Sequence, residues 1–279
     1  MTYELDAVRP EDYEEPRCLL CGEPYGAEKV QSIPQQRVVE KLNEYMSRRD
    51  YAGAERHLLY WLAEAEQGRD LRGKLLVCNE LVGHYRKTGE REKAFAKAEE
   101  AISLLKTLRM EDSVSAGTTC VNAATAYSAF GEQTRAYALF QKAERAYTAS
   151  GQARSDLLGG LYNNMALTCA ALGRYQDAYA LFDKAAEIMQ DVPGGALERA
   201  ITCLNVADTV TAELGAERAE PRVNDLLEEA YALLKAPEAP RDGYYAFVCE
   251  KCAPCFSYYG WFAAAEELKK ESERIYAGT

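Results

Sequence analysis

Glycine recurs at a fixed interval through the middle of the chain: Gly89, Gly131, Gly173 and Gly215 each stand 42 residues apart. Other residue types keep the same step. Ala94, Ala136 and Ala178 follow their glycines by five residues, and Ala101, Ala143 and Ala185 by twelve. Phe140 and Phe182 occupy the ninth place after. Tyr85 and Tyr127 stand four residues before, where Cys169 takes over in the next copy. A period of this length restricts the chain to stacked supersecondary units, each contacting only its neighbours.

The chemistry of one unit explains its columns. The stretch Leu161 to Cys169 is apolar at helical spacing and predicts a first helix. Glycine then ends it, because Gly enters the left-handed conformation that a helix stop often requires. Tyr175 to Met189 predicts a second helix, in which Ala178 and Ala185 allow close approach and Phe182 fills the space between. A single hairpin of this kind cannot bury its own apolar face, so neighbours must stack.

The ends are less regular. Arg49 holds the glycine position of an earlier copy, and Gly260 restores the pattern 45 residues after Gly215. Pro221 interrupts the intervening copy, which predicts a second helix starting near Val223. Loops are expected at Val192 to Gly195 and at Ala236 to Pro240. The expectation is an all-α fold of about six hairpins over residues 34–279, preceded by a tail over residues 1–33.

The run Tyr162-Asn163-Asn164-Met165-Ala166, then Leu172-Gly173-Arg174-Tyr175, then Ala178, Phe182 and Ala185, resembles the tetratricopeptide signature. The longer period resembles the repeats of kinesin light chains and of bacterial peptide-sensing regulators. That resemblance implies a right-handed superhelical solenoid whose first helices line a concave face. It places Asn79, Asn122, Asn163, Asn164 and Asn205 on that face, with Thr125 and Thr209. Asparagine both donates and accepts, so these residues suit the backbone of an extended peptide. One Asn per first helix equally suits a role in holding the repeat together, and both readings stay open. A carboxylate clamp, which some relatives use, needs convergent Lys, Arg and Asn. The matching positions are Val39, Glu40, Asn43, Asn79, Glu80, Val121 and Asn122, and only Asn43 and Asn122 suit it.

Function classes narrow further. The formal charge is −11, and no dense basic stripe stands out, which disfavours nucleic acid as a partner. No apolar stretch approaches the roughly 18 residues of a membrane span, and the N-terminus lacks a secretory pattern; a cytoplasmic protein is expected. His57 and His84 are the two histidines, and no phosphate loop or nucleophile–base order emerges, so an enzyme is not expected.

Nine cysteines suit reduced thiols better than a disulfide framework. Cys18 and Cys21, followed by Gly22, resemble one knuckle of a zinc ribbon. A closed site needs four ligands, so zinc there competes with a metal-free tail. Cys249, Cys252 and Cys255 recur every third residue and read as core positions of a first helix, with metal binding and redox exchange as weaker readings. The leading expectation is a scaffold that binds a protein or extended peptide; the alternative is a peptide-responsive regulator acting through a protein partner.

Overall fold

The computed structural model describes residues 30–151, 154–237 and 239–278. Among these, the regular structure is helical throughout and falls into six consecutive hairpins. They pair α1 (Gln35–Ser47) with α2 (Tyr51–Gln67), α3 (Leu71–Thr88) with α4 (Arg91–Thr107), and α5 (Val114–Ala129) with α6 (Gln133–Ser150). Then come α7 (Ser155–Ala171) with α8 (Tyr175–Gln190), α9 (Gly195–Leu214) with α10 (Ala216–Lys235), and α11 (Gly243–Tyr258) with α12 (Phe262–Tyr276).

The turns inside the hairpins share one backbone conformation. Gly89, Gly131, Gly173 and Gly260 have φ between 74° and 85°, and Arg49 does the same work at φ 55°. Gly215 departs from this pattern. Its φ is 80° but its ψ is 156°, so the chain leaves extended and α10 begins at the next residue. This corrects the expected start near Val223. Pro221 lies inside α10, where it forgoes one backbone donor without ending the helix. Pro254 is likewise internal to α11.

The repeating small and aromatic residues form the core. Ala94, Ala136, Ala178, Ala101, Ala143 and Ala185 are all fully buried, as are Tyr127, Phe140 and Phe182. Close approach between hairpin arms is set at two glycines. A Cβ on Gly117 would lie 2.2 Å from ring atoms of Tyr147, and one on Gly159 would lie 2.7 Å from Met189 Cε. Neighbouring hairpins are also fastened at equivalent points. Tyr85 donates to Glu55 of the preceding second helix at 3.0 Å, with the Lys93 ammonium over its ring. Tyr127, one repeat on, reaches Glu99 with Arg135 over its ring.

Each helix packs on the next, except at the step from α10 to α11, where the packing is much weaker. In addition, α3 touches α5, α5 touches α7, α7 touches α9 and α9 touches α11, and no pair of successive second helices packs as closely. The first helices therefore lie on the inside of the curve. The curvature brings the two ends together: Arg49, in the turn of the first hairpin, donates to Glu250 of α11 at 2.9 Å. The array thus closes on itself.

Candidate functional site

The inner face is a groove walled by α3, α5, α7, α9 and α11. Their apolar sides face outward into the core, and the residues left on the inside are small, polar or sparsely charged. Of these helices, α5 carries no charged residue, and the single charge of α7 is Asp156.

Of the asparagines expected on this face, Asn79 and Asn122 line a recess between α3 and α5, and the five make distinct contacts. Asn79 Nδ2 donates to Leu75 O and to Thr119 Oγ1 at 3.0 Å each. Asn122 Nδ2 donates to Asn79 Oδ1 at 3.2 Å, joining α5 to α3. Farther along, Asn163 Nδ2 donates to Thr202 Oγ1 at 2.7 Å, and Asn205 Nδ2 donates to Asn163 Oδ1 at 3.3 Å. These amides form two short ladders between successive first helices. Asn163 is nearly closed off from solvent, whereas Asn122, Asn164 and Asn205 remain partly open. Asn164 donates only to Gly160 O, within its own helix. Thr125 and Thr209 likewise bond carbonyls of their own helices, at Asn122 and Asn205.

Asn122, Asn164 and Asn205 each use one of two amide N–H groups within the wall, while both lone pairs of their Oδ1 stay free of protein partners among the described residues. The free hydrogen-bonding capacity of the groove leans toward acceptance.

Two recesses open along the groove. One, of about 430 Å³, lies between α3 and α5 and includes Arg72, Leu76, Glu80, Thr118 and Asn122. Glu80 is half-buried, and burial alone pushes its carboxyl above the ordinary carboxylate range. The other, of about 470 Å³, lies where α7, α9 and α11 meet and includes Asp156, Gly160, Glu198 and Tyr244. Burial also raises the Glu198 carboxyl, which accepts from the Tyr244 hydroxyl. Tyr244 stacks on Phe247 with ring centres 6.1 Å apart, and both rings are exposed. Leu167 adds a further exposed apolar side chain.

Of these residues, Glu80 entered the sequence reading only as a poor fit to a clamp, and Glu198, Tyr244 and Phe247 were not singled out. The 45-residue interval between Gly215 and Gly260 holds the missing signal. It aligns Phe247 with Thr202, and so with Gly160 and Thr118 on the groove face.

The thiol candidates separate. Cys18 and Cys21 lie outside the described residues. The seven described cysteines are free; Cys249 and Cys252 are buried, and Cys255 is partly exposed with its Sγ 3.8 Å from Asp208 Oδ1. Burial pushes the Cys252 and Cys255 thiols up to about 12, which leaves them protonated near neutral pH and poorly suited to exchange.

A cluster of Glu55, His84 and Glu90 brings ligand atoms within 4.8 Å of one another. However, Lys93 Nζ already bridges the two carboxylates, at 2.9 Å from Glu55 and 2.6 Å from Glu90. The ammonium supplies the cation there.

No helix among the described residues is long and apolar enough to cross a membrane. No family model matches the chain, and no curated protein matches it significantly. Among solved structures, BtubC (BKLC) from P. vanneervenii is 17% identical, covering 88% of this chain and 92% of its own, with a TM-score of 0.48. A putative kinesin light chain from Podosopora anserina, with nearly identical TPR-like repeats, is 19% identical. That match covers 74% of this chain and 96% of its own, with a TM-score of 0.49. This chain's own periodic hairpins and inward-facing first helices define it as a tetratricopeptide-like helical-repeat solenoid.

Proposed function

We propose that the protein is a non-catalytic scaffold, acting in the cytoplasm, that holds a protein segment in extended form along its inner groove. One observation carries the reading: a continuous inner face of partly open amides, with unpartnered Oδ1 atoms beside exposed Leu167, Tyr244 and Phe247. An extended backbone offers N–H groups at regular spacing, and apolar side chains between them bury against such positions. The low density of basic residues on these helices makes nucleic acid a poor occupant.

A photoreactive amino acid placed at Leu167, inside the groove, and separately at Tyr60 on α2 tests this. Crosslinking to a defined protein from Leu167 and not from Tyr60, abolished by Gly160→Trp, is the expected result. Equal crosslinking from both positions would move the interaction elsewhere.

The regulator reading draws on a different observation. The ends of the array meet through Arg49 and Glu250, whose side chains are 76% and 51% exposed. An exposed pair contributes about 0–1 kcal/mol. A bound segment that prefers a wider groove has little resistance to overcome there, and the resulting change of shape is a signal a protein partner can read.

A further inference from the structure

The groove's charge differs from that of its walls' outer sides. On the outside, acids are answered by bases. Lys74 lies 2.8 Å from Glu66 and 2.7 Å from Glu100, Arg135 lies 2.8 Å from Glu99, and Arg199 turns away from the groove to Glu229. On the inside, the acids outnumber the bases. Among the described residues, Glu80 has no hydrogen-bonded or ion-paired partner, and Glu198 has only the Tyr244 hydroxyl. Asp208 accepts from the Tyr259 hydroxyl and, at longer range, from the Cys255 thiol, and is in no ion pair among the described residues. Asp156 and Glu250 are held by Arg154 and Arg49. Beyond these two arginines, the nearby cations are Arg72, at the rim of the recess between α3 and α5, and exposed Lys251, close enough to Glu198 to act on it electrostatically; Arg154 lines the Glu198 recess but is paired with Asp156. α5 and α7, which form the middle of the wall, contribute no basic residue.

A half-buried carboxylate without a partner is costly to keep, because desolvation disfavours the charge and nothing in the fold repays it. The same carboxylate becomes favourable once a cation enters, since the low surrounding polarity strengthens the new pair. The nearby amide oxygens point to the same kind of ligand. Asn122 lies in the recess with Glu80, and its Oδ1 is unpartnered, as are those of Asn164 and Asn205 farther along. A guanidinium or ammonium donates to several acceptors at once. The stacked pair Tyr244 and Phe247 adds exposed ring faces beside Glu198, which attract a cation and bury its aliphatic stem.

From this we infer that the segment the groove takes is cationic: an extended peptide whose Lys or Arg side chains seat against Glu80 with Asn122, and against Glu198 beside the Tyr244–Phe247 pair. The inference rests on the groove being the binding site. It reverses the charge logic of a carboxylate clamp, for which this groove lacks the bases.

The test is selection from a display library of random 12-residue peptides at 150 mM salt. The baits are the full-length protein, Glu80→Gln/Glu198→Gln and Gly160→Trp. Gln keeps the size and acceptor oxygen of Glu, and a Cβ on Gly160 meets no atom within 4 Å, so Trp fills the groove rather than the core. Circular dichroism melts confirm folding of each bait.

The expected result is a selected pool rich in Lys and Arg from the wild type, and no such enrichment from the Gln variant. A labelled peptide from the first pool binds the Gln variant at least tenfold more weakly by fluorescence polarisation. A pool without basic residues that Gly160→Trp abolishes would overturn the cationic assignment and leave the groove as the site. Enrichment that Gly160→Trp leaves untouched would overturn the groove as well. No enrichment over the bare support would overturn both.

Discussion

Asn163 and Asn164 are adjacent, both were expected on the concave face, and the structure gives them opposite roles. Asn163 is 7% exposed; its amide donates to Thr202 at 2.7 Å and accepts from Asn205 at 3.3 Å, bridging α7 to α9. Replacing it by Ala removes both bonds, although the Thr202 hydroxyl keeps its bond to Glu198 O and the Asn205 amide is partly open. At about 1 kcal/mol net for each lost bond, the expected loss is about 2 kcal/mol. For a chain of this size that lowers the melting temperature by about 4–8 °C. Asn164 bonds only Gly160 O in its own helix, and Ala there has better helix propensity. Asn164→Ala is therefore expected to stay within about 0.5 kcal/mol of wild type. Scanning calorimetry of the two single variants, with urea melts to follow transition shape, separates them. Equal melting temperatures for both variants would refute the claim that the amide ladder couples successive hairpins. The comparison also fixes the interpretation of binding: a loss seen with Asn163→Ala reports partly on the fold, whereas a loss with Asn164→Ala reports on the groove.

Other expectations follow from the same contacts. Gly117→Ala drives a methyl into the Tyr147 ring and is expected to cost about 1–3 kcal/mol, whereas Gly160→Ala, facing open space, gains up to about 1 kcal/mol; urea midpoints decide. The raised Glu80 carboxyl fixes the sign of a pH effect. With the folded value above the ordinary 4.5, the ionised group opposes folding, and that opposition grows as pH rises from about 4.5 through the folded value. Glu80→Gln is therefore expected to raise the melting temperature at pH 7 and to lose that advantage by pH 4; an unchanged difference across this range would contradict the burial argument. Arg49→Glu opposes Glu250 and is expected to increase the radius of gyration in small-angle scattering, while costing about 1 kcal/mol or less in stability. Cys255, with its thiol near 12, is expected to react with maleimide at pH 7 on the order of a thousandfold more slowly than a free cysteine thiol.

The sequence alone determined the architecture of each hairpin. Backbone conformation at a turn is a local matter, so a glycine column spaced at 42 residues was enough to locate Gly89, Gly131 and Gly173 at positive φ. It even flagged Arg49 as a residue forced into the same conformation. The buried alanines and Phe182 were legible for the same reason, since helical spacing decides which side of a helix meets its partner. Gly215 was the local failure. Glycine permits two quite different conformations at positive φ, and residue identity does not choose between them, so the early start of α10 went unseen. What lies beyond one hairpin belonged to the tertiary structure. The bond from Asn122 to Asn79 and the bond from Asn205 to Asn163 depend on how adjacent repeats are rotated, and small rotations add along the array until Arg49 meets Glu250, 201 residues away. The solvation of Glu80 and Glu198 follows from that same curvature: a carboxylate on an isolated helix is wet, and becomes costly only when the neighbouring helices close around it.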